Sequence, residues 1–236
     1  MATNRKNLII VRAGDKSLHP QWLNDQLRNW DIVVSYFGDY PERYKGQYDF
    51  LHVFKGSKWQ GLSDFVNHNE ALLAQYEYIW FPDDDLFATC EVINDFFDLC
   101  QKLELTVAQP ALTSYSHYSW SITLESPNDS YRLTDFVEIM APCFKQETFQ
   151  IFKDTFSLNT SGWGLEWLWR DIAQKNSEMK FGIIDETPIF HTRKVGAAAH
   201  GGTVGSPMHE FQTLMKQFNL NRTTPQVLHA SPRSQA

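Results

Sequence analysis

Basic side chains are scarce in this chain: 21 lysines and arginines stand against 28 aspartates and glutamates in 236 residues, a formal charge of −7. A nucleic-acid binder needs a basic surface to neutralise phosphates, so this balance excludes a general nucleic-acid function. Cysteine is scarcer still. Cys90, Cys100 and Cys143 are odd in number and form no C-x-x-C pair, which excludes a disulfide framework and predicts small buried hydrophobes in a reducing compartment. Long apolar runs are missing too. The run Leu8 to Val11 is broken by Arg12, whereas a secretory core takes about 7–15 apolar residues and a spanning helix about 20. The expectation is a soluble, cytoplasmic protein without a transmembrane segment. What is abundant is apolar and aromatic: 42% hydrophobic residues exclude wholesale disorder, and 17 Phe, 9 Tyr and 8 Trp reach 14%. Rings in such number either fill the core or line a wet pocket, and composition does not decide between the two.

Short β-rich runs alternate with helical patterns. Leu8–Val11, Ile32–Val34, Phe50–Phe54 and Tyr78–Phe81 each stop at a turn residue, as buried strands do. Between them, Pro20–Arg28 and Leu62–Gln75 read as helices, and Glu91–Leu103 repeats Ile93, Phe96, Phe97, Cys100 and Leu103 at helical spacing. Further on, Val107–Ala108, Phe136–Met140, Phe181–Ile184 and Ile189–Phe190 read as strands, and Gln146–Phe156, Leu165–Lys175 and Met208–Phe218 as helices. Ala197–Gly205 reads as a mobile Gly-rich loop, and residues 221–236 as a polar, flexible tail. With no repeat or linker, residues 1–220 form one α/β domain with a doubly wound, Rossmann-like sheet: mixed, mostly parallel and flanked by helices.

Asp83-Asp84-Asp85 follows the apolar run Tyr78–Phe81 and Pro82 directly. Three adjacent carboxylates repel one another unless something positive compensates. At the carboxyl end of a strand, Asp83 and Asp85 face one way while Asp84 turns aside. Two oxygens on one face suit Mg²⁺ or Mn²⁺, which then binds phosphate oxygens. The competing reading is a helix N-cap with a solvated acidic first turn. A phosphatase D-x-D-x-[TV] motif does not fit, since the fifth position is Phe87 and the triplet lies mid-chain.

Ser161-Gly-Trp-Gly-Leu-Glu-Trp-Leu-Trp169 places Trp163, Gly164, Glu166 and Trp167 in a turn that opens a helix. Glycines allow close backbone approach to a ligand, Trp163 and Trp167 offer sugar-stacking platforms, and a carboxylate among rings has the raised pKa of a general base. A buried helix N-terminus with core tryptophans is the alternative. His191 ends a later apolar stretch, either as a cation ligand or as a structural histidine, and Arg193 beside it can neutralise a diphosphate.

Asp-Asp-Asp, then Gly-Trp-Gly-x-Glu, then a strand ending in His is an order that resembles metal-dependent glycosyltransferases of the GT-A fold, the galactosyltransferase type among them. A closer resemblance is to the DUF707 family of GT-A-like proteins, carried by Tyr78–Asp85, Gln109–Leu112, Phe136–Pro142, Trp163–Glu166 and Ile184–His191. The resemblance implies a nucleotide-diphospho-sugar donor, a glycan or other hydroxyl acceptor, and Mn²⁺ or Mg²⁺ as cofactor. It assigns Asp83, Asp85 and His191 to the metal and Glu166 to catalysis. Arg12, Asp15, Lys58, Asp83, Asp84, Trp163, Gly164 and Arg193 fall to the nucleotide sugar. Lys58 is equally readable as a solvated loop lysine. Trp167 stands where related inverting enzymes carry a second acid, which leaves the base and the stereochemical outcome open. Two other classes compete: a catalytically silent GT-A-like module that binds a glycan or protein, and a metal-dependent phosphoester hydrolase.

Overall fold

Strands β1 (Asn7–Ala13) and β2 (Trp30–Tyr36) are buried along their whole length, as expected of apolar runs covered by helices on both faces. They belong to a computed structural model that describes residues 5–194 and 205–233. Next come β3 (Phe50–Val53), α1 (Lys58–His68), the single turn α2 (Glu70–Leu73), β4 (Tyr78–Trp80), β5 (Leu86–Phe87) and α3 (Cys90–Lys102). The second half adds β6 (Val107–Leu112), β7 (Asp129–Thr134), β8 (Cys143–Lys145), α4 (Gln146–Phe152), α5 (Leu165–Gln174), β9 (Phe181–His191), α6 (Pro207–Gln217) and β10 (Val227–Pro232).

The strands join in the order β10-β7-β9-β6-β8-β4-β1-β2-β3, with β5 pairing β9 off this path. β1 pairs β2 and β4 in parallel, β2 pairs β3 in parallel and β6 pairs β9 in parallel. β8 runs antiparallel between β4 and β6, β7 antiparallel between β9 and β10, and β5 antiparallel to β9. Only β5, β7 and β8 therefore oppose the common direction, which makes the sheet mixed and mostly parallel.

Alternation along β1 divides the core. Ile9, Val11 and Ala13 join Trp22, Trp80, Phe96 and Phe97 on the α3 face. Leu8 and Ile10 join Trp59, Phe65, Phe144, Phe149, Phe156 and Trp169 on the face covered by α1, α4 and α5. The largest fully buried side chains are all aromatic, Trp22, Trp30, Trp59, Trp80 and Trp169 among them, so most of the ring excess is core. All three cysteines are free and buried.

Several elements differ from the sequence expectation. The stretch 20–28 makes only a 3₁₀ turn, His19–Trp22, because Trp22 is drawn into the core and its indole donates to Leu86 O at 2.9 Å. Residues 136–140 are irregular; the strands there are β7 and β8 on either side. The runs 181–184 and 189–190 are one continuous β9. Within the stretch read as a flexible tail, residues 227–232 form β10, whose backbone satisfies the outer edge of β7. The loop reading for 197–205 falls, apart from Gly205, outside the described residues.

Candidate functional site

β4 ends at Trp80, and the chain leaves the sheet carrying Asp83, Asp84 and Asp85. Each acid finds a different partner. Asp84 turns aside: its Oδ2 accepts the Gly14 N–H at 2.8 Å and its Oδ1 the Arg193 guanidinium at 3.2 Å, tying the triplet to the end of β1. Burial pushes Asp84 up to about 6, against the Gly14 hydrogen bond and Arg193. Asp83 accepts from Lys58 Nζ at 2.6 Å, and the same ammonium donates to Ile139 O at 2.8 Å and Met140 O at 3.1 Å. Lys58 is placed there by the start of α1, fixed by a reciprocal Ser57–Gln60 capping box. It is thus a partner of the triplet and not a solvated loop lysine.

Asp85 faces His191 across the β5–β9 pairing. His191 Nε2 lies 3.3 Å from Asp85 Oδ1, yet that oxygen is buried and accepts no hydrogen bond. His191 Nδ1 lies 2.6 Å from His117 O, so Nδ1 donates to that carbonyl and Nε2 faces the acid. Burial lowers the His191 pKa, but Asp85, the His117 carbonyl and Asp83 outweigh it and the net direction is up. These residues fit a hard divalent cation: an unsatisfied carboxylate oxygen beside an imidazole whose other nitrogen is anchored to a carbonyl is a ligand pair with its supporting contact in place. Among the described residues no three such side chains converge on one point, and Asp83 is bonded to Lys58.

Glu166 lies in the first turn of α5, whose N-cap Gly164 has φ +96° and so needs glycine. The carboxylate is 6% exposed and accepts the Gly164 N–H at 3.2 Å. Burial pushes it up to about 8; the Glu138 charge adds to this, while the local N–H groups and Arg222 pull it back. Glu138 is a site residue that sequence reasoning missed. It is 4% exposed, its Oε2 is buried without a partner, and burial pushes it up to about 7. Asp83 raises it further, whereas Ser119, His191 and Lys58 oppose the shift. The one signal available was a lone acid inside an apolar stretch.

Arg12 stands at the end of β1, but both Nη atoms donate to protein, to Ser35 and to the carbonyls of Phe54 and Gly56. Burial lowers it to about 10, Asp84 opposing. Asp15 accepts the Tyr36 hydroxyl, and Arg193 also donates to Lys16 O. Trp163 is half-buried on the turn that carries Gly164. Trp167 is not a platform: it is 2% exposed and packs on Trp120 and Phe136 at ring separations of 5.5 and 5.3 Å. A groove of about 590 Å³ between α1 and α6 is lined by residues such as Asn67, Asn159 and Glu210 and by none of the acids above. It backs the Trp163 turn, whose Ser161 N–H donates to Glu210 at 2.8 Å. Among the described residues no helix is long and apolar enough to cross a membrane.

No family model and no curated protein sequence matches the chain, so the likeness to DUF707 stands as a resemblance. Solved structures do match. S. aureus TarS 1-349 in complex with UDP-GlcNAc shares 13% identity over 90% of this chain and 65% of its own, with a TM-score of 0.53. GalNAc-T7 with UDP, GalNAc and Mn²⁺ shares 11% over 91% of this chain and 48% of its own, with a TM-score of 0.60. The chain thus spans less than two thirds of either. At these identities the likeness shows the fold, and the fold is GT-A-like, as the order of motifs implied.

Proposed function

We propose that the protein is a glycosyltransferase that moves a sugar from a nucleotide-diphospho-sugar donor to a hydroxyl acceptor. The observation that carries this reading is the meeting, at the carboxyl ends of β1 and β4, of an acidic triplet and His191 with two buried acids, Glu138 and Glu166. That is where open α/β sheets bind ligands. TarS and GalNAc-T7, which have this fold, were solved with UDP-GlcNAc and with UDP, GalNAc and Mn²⁺ respectively.

Asp83, Asp85 and His191 would hold a divalent cation, with Lys58 yielding Asp83. When bound, the cation supplies charge neutralisation for the departing nucleoside diphosphate. Arg193, already at the triplet, adds a guanidinium on the same side. Glu166 takes the proton of the acceptor hydroxyl onto its carboxylate; a pKa near the working pH suits a group that must first lose a proton and then accept one. Glu138 is raised by burial as well and its charge opposes ionisation of Glu166, so the two buried acids resist carrying two negative charges at once.

The test is a thermal-shift panel of UDP-, GDP- and CDP-sugars with and without Mn²⁺, on the wild type and on Asp85→Asn. Stabilisation by one nucleotide that requires the cation and is lost in Asp85→Asn is the expected result; no stabilisation by any donor overturns the reading. Glu166→Gln should keep donor binding and lose transfer, and retained transfer removes Glu166 as the base. The Lys58–Asp83 pair favours a second reading, a silent binding module, in which stabilisation by nucleotide and metal is absent.

A further inference from the structure

Arg222, like Arg43, is an exposed arginine that rests on a ring and makes no ion pair among the described residues. Arg5, Arg28, Arg132, Arg170 and Arg193 each pair with a carboxylate, and Arg12 is hydrogen-bonded inside the fold. Arg222 is exposed, and among the described residues its close contacts are two rings: its guanidinium lies 5.0 Å from the centre of Trp120 and 5.7 Å from that of Phe211. Stacking of this kind fixes the plane of the guanidinium and leaves its N–H edge free to donate.

The two rings locate Arg222 on the catalytic turn. Trp120 packs edge-on against Trp167, the residue after Glu166, at 5.5 Å. Phe211 abuts the residue two before it: a Cβ added to Gly164 would lie 3.3 Å from Phe211 Cδ2. The guanidinium therefore lies between two rings that pack on the first turn of α5, close enough for its charge to act on Glu166. Next to it opens a pocket of about 250 Å³, lined by Trp120, Ser121, Arg222, Thr223 and Thr224. Its hydroxyls are donors as well as acceptors. The Thr223 oxygen already accepts from Arg170 at 2.7 Å, which leaves the Thr223 O–H free to donate.

We propose that this pocket takes an anionic group, a carboxylate or a phosphate, carried by the hydroxyl acceptor whose proton Glu166 removes. The inference rests on the transferase reading above, and it names the chemical class of the acceptor. A planar guanidinium with two parallel N–H groups matches both oxyanions bidentately, and the pocket has room for the anion and a few carbons. An acceptor held there lies beside the Glu166 turn, so the site would select for charge and orient the hydroxyl in one step.

The experiment titrates glucose, glucuronate and glucose 6-phosphate into the full chain and follows saturation-transfer NMR signals on the wild type, Arg222→Gln and Arg222→Lys. The expected result is at least tenfold tighter binding of one or both anions than of glucose, a difference erased in Arg222→Gln, partly kept in Arg222→Lys and weakened by 0.5 M salt, roughly as screening requires. Equal binding of all three sugars, binding of none, or anion binding unchanged in Arg222→Gln overturns the proposal. The nucleotide-sugar panel, repeated on Arg222→Gln, separates the two readings. Donor binding with no charge selectivity sinks the acceptor site alone, whereas Arg222-dependent anion binding without any donor binding sinks the transferase.

Discussion

Replacing Lys58 with Met separates two demands on the acidic triplet. In the structure the ammonium sits 2.6 Å from Asp83 Oδ1, with the two side chains 18% and 34% exposed. Two unit charges about 4 Å apart attract by roughly 4 kcal/mol at an effective dielectric constant near 20. Desolvation and side-chain ordering cancel most of that, so a net of about 1–2 kcal/mol remains for a half-buried pair. A divalent cation that uses Asp83 must displace Lys58 and forfeit this amount. Lys58→Met should therefore tighten Mn²⁺ binding by roughly 5- to 30-fold, since 1.4 kcal/mol is a factor of ten. Met keeps the volume of the stem, but the carbonyls of Ile139 and Met140 lose a donor, and the fold should lose about 1–3 kcal/mol. Calorimetric titration of Mn²⁺ alone into wild type and variant reads the first number, and the urea midpoint reads the second. A folded variant that binds Mn²⁺ no more tightly than the wild type refutes the competition and with it the place of Asp83 in the cation site.

Three further perturbations follow from single contacts. Gly162 has φ +78°, and an added Cβ would lie 1.8 Å from Trp59 Nε1, so Gly162→Ala should cost about 2–5 kcal/mol by urea denaturation; a loss under about 1 kcal/mol contradicts the packing. Glu138 and Glu166 stand at about 7 and about 8, above an unfolded value near 4.3, so the native state keeps protons that the unfolded chain has released. Their contribution is full below about pH 4 and is lost as pH rises through 7 and 8, with a slope of up to about 1.4 kcal/mol per pH unit for each group. Glu166→Gln should flatten its share, and an unchanged pH profile of denaturation midpoints would show that Glu166 ionises normally. Arg132 holds the fully buried Asp185 through two bonds of 2.9 and 2.8 Å, so Arg132→Leu should cost about 3–5 kcal/mol. Leucine at both positions should recover much of it by the same measurement, and a double variant no better than the single one contradicts an uncompensated charge as the cause.

What could be read from sequence was whatever one segment settles by itself. The α3 stripe Ile93, Phe96, Phe97 and Cys100 is buried on one side, and the helix runs over Cys90–Lys102, within a residue of the periodic stretch. β1, β2 and β4 announced themselves because a strand covered on both faces is apolar throughout. β7 and β10 did not: they lie toward one margin of the sheet, Asp-Ser-Tyr-Arg-Leu-Thr alternates weakly, and β10 is exposed over most of its length. Their pairing is decided by a partner about a hundred residues away, and no local signal encodes that.

The same division runs through the candidate site. Asp83–Asp85 was conspicuous because the charges are adjacent in the chain, and the turn at Gly164 because its glycines and rings are. Glu138 was not, since the groups that give it meaning, Ser119, Asp83, His191 and Glu166, reach it from four other segments. Trp167 erred in the opposite direction. Beside Trp163 in sequence it shared that residue's reading, but helical rotation from the N-cap at Gly164 turns it inward onto Trp120 and Phe136, while Trp169 turns toward Phe144 and Phe152. Local motifs therefore identify where the backbone leaves the sheet with chemistry attached. Which of those groups is unsatisfied is a property of the assembled fold. Buried oxygens without donors on Asp85 and Glu138, and a guanidinium at Arg222 that makes no ion pair among the described residues, become visible only once the segments are assembled.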